Sequence, residues 1–102
     1  MISSEDIIKI IKERMDEIKK YGVKKIGLFG SYIRNKQTEK SDIDIIVEFE
    51  RGKATLDNFM DLTHFLEELI GKNVDLLTEE GVRSIRIKDI KRNIEENVVY
   101  VT

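Results

Sequence analysis

The sequence predicts an α/β domain of the α+β kind: a small mixed β-sheet with helices packed on it. Short apolar, β-branched runs occur at Val23–Phe29, Ile43–Phe49 and Asn73–Thr78. Two longer segments, over 3–18 and 55–70, carry apolar residues at helical spacing. The segments interleave as helix–strand–strand–helix–strand–helix, and nothing in the chain repeats or falls into low complexity.

The first helix has a start and a stop. Ser3 and Ser4 offer an N-cap, and Glu5 and Asp6 suit the positive end of the helix dipole. Ile7, Ile8, Ile11, Met15 and Ile18 form one stripe, and Gly22 fits just past the end. Val23–Phe29 reads as a strand that Gly30-Ser31 terminates, with a short helix starting from Tyr32 to Asn35. Lys36 to Ser41 is a polar loop, and Ile43–Phe49 is the clearest strand. Thr55 caps a helix whose stripe is Leu56, Phe59, Leu62, Leu66, Leu69 and Ile70, closed by Gly71. Asn73–Thr78 is the third strand, bounded by Glu79-Glu80-Gly81. In the tail, Ile87, Ile90 and Ile94 keep helical spacing, and Val98 to Val101 forms a last strand or a docked helix end.

At 102 residues the chain is read as one domain, 1–102. Charged residues make up 37% but nearly cancel, leaving −2, which disfavours a general nucleic-acid binder. The absence of cysteine excludes disulfides and Cys-ligated zinc. No apolar run approaches a membrane span and no signal-peptide pattern opens the chain, so the expected location is cytoplasmic.

Acidic residues inside a strand call for an explanation. Side chains alternate along a strand, so Asp42 and Asp44 share one face while Ile43, Ile45 and Val47 take the other. They are either solvated or holding a cation, since two carboxylates about 7 Å apart can both reach one. Asp75, between Val74 and Leu76, repeats the pattern on the third strand. If the two strands are neighbours in register, three carboxylates meet on one patch and repel one another unless a divalent cation compensates. An all-oxygen donor set suits Mg²⁺, which commonly shares its shell with substrate phosphates.

A phosphate cradle lies close by in sequence. Gly30 after a strand, followed by Ser31 at a helix start, exposes backbone N–H groups, and the Ser31 hydroxyl can donate as well. Arg34, three residues on, is spaced to reach the same anion, or to pair with Glu39 or Asp42 as a surface ion pair. His64, the lone histidine, reads as a helix residue without a catalytic role. Tyr32 and Tyr100 read as packing residues, with Tyr32 near enough to stack on a nucleobase. Arg83, Arg86, Lys88, Lys91 and Arg92 make a basic segment, either a solvated helix face or a dock for an acidic partner.

Gly30-Ser31, ten residues, then Asp42-x-Asp44 resembles the signature of the nucleotidyltransferase superfamily that includes DNA polymerase beta. With Arg34, Ser41-Asp42-Ile43-Asp44 and Val74-Asp75-Leu76, the chain is similar along its whole length to the minimal nucleotidyltransferases, the MNT partners of HEPN–MNT toxin–antitoxin pairs. Ile33 and Asn35 depart from the commonest Gly-Ser-x-Ala-Arg-Gly form, at positions that ligate neither metal nor phosphate. The resemblance implies a polymerase-beta-like nucleotidyltransferase fold. It implies Asp42, Asp44 and Asp75 as catalytic carboxylates holding two Mg²⁺ ions, and Gly30, Ser31 and Arg34 as nucleotide-binding residues. The implied activity is transfer of AMP from ATP to a tyrosine of a HEPN RNase toxin, making the chain an antitoxin. Two other readings remain: an antitoxin that works by occlusion alone, and a nucleotidyltransferase for a small-molecule or nucleic-acid acceptor. An exposed sheet edge and an incomplete acceptor site also make homo- or hetero-oligomers an expectation.

Overall fold

The computed structural model describes residues 2–33, 37–38, 40–86, 88, 91–92, 94 and 97–101, with Ser31 described by its backbone alone. Ser3 starts α1 (Ser4–Glu13) through a capping box: its hydroxyl accepts from the Asp6 N–H, and the Asp6 carboxylate accepts from the Ser3 N–H. Such a cap contributes about 1 kcal/mol. The single helix expected over this segment is interrupted. The backbone leaves helical geometry at Arg14, whose N–H bonds back to the Ile11 carbonyl three residues away, and α2 (Met15–Lys19) follows. Ile7, Ile11 and Ile18 are fully buried on both sides of the break, so the stripe stays on the core.

β1 (Val23–Phe29), β2 (Ile43–Phe49) and α3 (Leu56–Ile70) lie where periodicity and caps put them. The Thr55 hydroxyl accepts from the Asn58 N–H at 3.1 Å, and α3 ends at Gly71 in the left-handed region (φ +82°) that glycine tolerates. β3 (Val74–Thr78) starts one residue later than expected. The reading of Glu79-Glu80-Gly81 as a simple strand boundary is corrected. These residues open α4 (Glu79–Arg83), capped by the Thr78 hydroxyl accepting from the Gly81 N–H at 3.0 Å. The tail closes as a strand, β4 (Val99–Tyr100). Ile87 and Ile90 of the expected terminal helix lie outside the described residues, as do Arg34 and Asn35.

The sheet has the order β3-β2-β1-β4, with β1 antiparallel to both β2 and β4, and β2 parallel to β3. The mixed sheet is therefore as expected, with α3 as the crossover between its parallel strands. One face, carrying Ile26, Leu28, Ile43, Ile45, Val47, Val74 and Leu76, is buried with Ile7, Ile11, Ile18, Leu62 and Leu66. Burying one such side chain stabilises the fold by about 1.5–3 kcal/mol. On the other face Phe29, Ile46 and Val82 form a smaller cluster with Ile85, Ile94, Val98 and Tyr100.

Tyr32 is fully buried in the main core. Its ring packs there, and the stacking on a nucleobase considered from sequence is excluded. Among the described residues no helix is long and apolar enough to cross a membrane.

Candidate active site

Strand alternation and register assemble the acidic face. Asp44 lies opposite Phe29 on β1 and beside Asp75 on β3, because Ile43 and Asp44 pair with Val74 and Asp75 in the parallel ladder. Residues paired this way project to the same face, with neighbouring strands about 4.8 Å apart. Asp42 stands two residues earlier on the same chain and is exposed, Asp44 is half-buried, and Asp75 is exposed. The loop that delivers Asp42 is folded on itself. Ser41 accepts from the Thr38 N–H at 2.8 Å and returns its own N–H to the Thr38 carbonyl at 3.0 Å.

The three carboxylates thus share one face and one end of the sheet. Among the described residues, however, no group of three His, Cys, Asp or Glu side chains closes into a metal-holding cluster. Asp44 and Asp75 pair across adjacent strands with Asp42 just before β2, and the three stand as a row rather than the single patch expected from sequence. The chemistry of the row fits Mg²⁺: all donors are oxygens, and few protein ligands leave room for water and phosphate.

Gly30 adjoins the row. β1 ends into a 3-10 turn, Gly30–Tyr32, in which Gly30 has φ +79°. A Cβ there would stand 2.8 Å from Asp44 Cγ and collide with the carboxylate itself. Only glycine lets this turn approach Asp44 so closely. Ser31 follows in the same turn, its side chain outside the described set, and Arg34 lies outside it altogether.

On the far flank, the loops before β2 and β3 enclose a groove of about 420 Å³, lined by Lys40, Ser41, Asp42, Gly71, Lys72 and Asn73. The Ile43 N–H, bonded to the Asn73 carbonyl at 2.9 Å, fastens the two loops together. Sequence reading missed this groove, because Lys40 and Lys72 are ordinary loop residues until the strands pair.

At the opposite end of the strands sits a second polar cluster. Tyr100 donates its hydroxyl to Glu79 Oε1 at 3.1 Å, and Lys25 Nζ is 3.9 Å from the same oxygen and 4.1 Å above the Tyr100 ring. Lys24 reaches Glu48 at 3.5 Å. The Glu79 carboxyl is held above its ordinary value, first by its hydrogen bond with Glu48 and then by burial. Glu48 is lowered by that same hydrogen bond, then by Lys24 and Lys25. His64 is exposed on α3, away from both clusters.

The chain is similar in sequence and fold to known proteins. The nucleotidyltransferase domain family matches residues 8–101. A Methanocaldococcus jannaschii protein named as a protein adenylyltransferase is 43% identical over 98 residues, covering 94% of this chain and 95% of its own. The protein adenylyltransferase MntA of Thermococcus cleftensis is 37% identical over 102 residues, covering 99% and 98%. A chain from the solved complex of a tri-AMPylated Shewanella oneidensis HEPN toxin with its MNT antitoxin superposes with a TM-score of 0.60 at 18% identity, over 93% of this chain and 71% of that one, and shares the fold. With an acidic row on β2 and β3, a glycine turn pressed against it, and full-length likeness to these relatives, the chain belongs to the nucleotidyltransferase domain family, among its protein adenylyltransferases.

Proposed function

We propose that the protein transfers AMP from ATP to a tyrosine of a HEPN-type RNase and thereby acts as its antitoxin in the cytoplasm. The observation that carries this reading is the register of Asp44 against Asp75 beside the Gly30 turn. The acceptor and the partner class are supported by the relatives named as protein adenylyltransferases and by the AMPylated toxin in the Shewanella complex.

The backbone N–H groups of the Gly30-Ser31 turn, the Ser31 hydroxyl and Arg34 bind the β- and γ-phosphates. Asp42, Asp44 and Asp75 are the residues that would hold Mg²⁺, which when bound neutralises phosphate charge and acidifies the attacking hydroxyl. Asp75, at the sheet edge, lies on the side from which the acceptor comes. The tyrosyl oxygen forms a bond to the α-phosphorus and the α–β phosphoanhydride bond breaks. Pyrophosphate leaves with the electron pair, and the phenolic proton passes to solvent. Hydroxyl and leaving group lie on opposite sides of the phosphorus in such an in-line displacement. This geometry suits a phosphate cradle after β1 and an acceptor entering over β3.

The test is intact-mass spectrometry of the partner after incubation with the protein, ATP and Mg²⁺. The expected result is an adenylyl increment that Asp44→Asn abolishes. A neutralised but unmodified partner would replace this reading with occlusion.

A further inference from the structure

We infer that the groove between Lys40 and Lys72 receives an AMP unit already attached to the acceptor, so that these two lysines govern how many units are added. The inference rests on the proposed transfer and deepens it. Three observations lead to it.

The first is position. The sheet order sets the Gly30 turn, then Asp44, then Asp75 in sequence across the face. If leaving pyrophosphate occupies the Gly30 end, an in-line acceptor approaches from the β3 end. The Lys40–Lys72 groove is at that end, and Asp42 forms part of its wall.

The second is charge. A tyrosyl acceptor is neutral, so its entry needs no cation. After one transfer the acceptor carries a phosphodiester anion, which would have to sit near three carboxylates. Lys40, exposed, and Lys72, half-buried, line the groove with Ser41 and supply positive charge on the groove side of the row.

The third is room. A groove of about 420 Å³ is within the size of small-molecule sites, whereas a tyrosine side chain alone would leave it largely unfilled. In the second transfer a ribose hydroxyl of the attached AMP forms the new bond to the α-phosphorus of a second ATP. The α–β bond breaks, pyrophosphate leaves with its electron pair, and the hydroxyl proton goes to solvent.

The experiment follows the partner's mass over time with ATP and Mg²⁺, using the wild-type protein, Lys40→Ala/Lys72→Ala, and the charge-preserving Lys40→Arg/Lys72→Arg. The wild type is expected to add more than one unit. The alanine pair should slow the second addition about tenfold relative to the first, as loss of hydrogen bonds to a charged group implies, and the arginine pair should restore it. Equal slowing of both additions, with a raised KM for ATP, would overturn the inference by assigning the lysines to the donor. A wild-type protein that stops at one unit would also overturn it while leaving the proposed transfer standing. No addition of any kind would count against the transfer itself.

Discussion

Asp44 and Asp75 stand side by side across the parallel β2–β3 pair, on the face of the sheet that α1 and α3 leave uncovered. Two carboxylates in adjacent register repel each other in the absence of a cation. That repulsion makes both ligand dependence and stability readable from one substitution.

Asp44→Asn is expected to fold, to melt at or above the wild-type temperature without metal, and to lose the stabilisation that millimolar Mg²⁺ gives the wild type. Transfer should fall about a hundredfold or more, as removal of a residue that holds several kcal/mol of transition-state stabilisation implies. Paired melting curves and partner-modification assays check this. An Asn variant with full activity would remove Asp44 from the site.

Gly30→Ala should damage activity more than stability. The left-handed backbone costs an alanine about 1–2 kcal/mol, and its Cβ collides with the Asp44 carboxylate. Displacing that carboxylate by even 1 Å is expected to cost about a hundredfold in rate. Denaturation in urea and initial transfer rates, measured on the same preparation, separate the two effects.

The Glu48–Glu79 pair predicts a pH signature. The Glu79 carboxyl, raised from its ordinary value of 4.5, gives up its proton at higher pH in the folded chain than in the unfolded one. Its contribution to stability is therefore complete below that value and is lost as pH rises through its raised folded value. Glu48, lowered from the same ordinary value, behaves oppositely: its contribution is present above 4.5 and is lost as pH falls through its lowered folded value. Lys24, Lys25 and the Tyr100 hydroxyl face the pair and favour its ionised partner. Glu79→Gln keeps a donor for Glu48 at every pH, so its melting temperature should exceed that of the wild type at pH 7 and no longer decline above pH 4.5. Identical pH profiles for the two proteins would rule out a raised Glu79 carboxyl.

Tyr32→Phe is expected to be neutral or stabilising. The Tyr32 hydroxyl is buried and, among the described residues, has no hydrogen-bond partner, a state that costs about 1–3 kcal/mol. Thermal melts should show no loss, and the KM for ATP should not move. A weakened KM would bring the hydroxyl into the nucleotide site.

The parts of this architecture legible in the sequence are those with local causes. β1, β2 and α3 announce themselves through alternation, an apolar stripe, the Thr55 cap and Gly71. The aspartates stand out because strands seldom carry Asp-x-Asp. Features created by distant pairing were not legible in the same way. The adjacency of Asp44 and Asp75 depends on a parallel register that no local signal states, and the lysine groove exists only once the Ile43–Asn73 bond joins two loops. The break at Arg14 has no breaker residue to mark it. α4 did have a signal, Thr78 as a cap with two glutamates behind it, obscured by Gly81 within the helix.

The mixed direction of the sheet also bears on the order in which the site comes into being. β1 and β2 are neighbours in the chain and pair antiparallel, whereas β3 joins β2 only after α3 has crossed over. Closing the longer connection carries the greater entropic cost, so Gly30 meets Asp44 before Asp75 does. A nascent or partly unfolded chain can therefore shape its phosphate turn yet have no complete acidic row. Recovered transfer activity on refolding should lag behind amide protection in β1 and β2, making catalysis itself a gauge of the last step of folding.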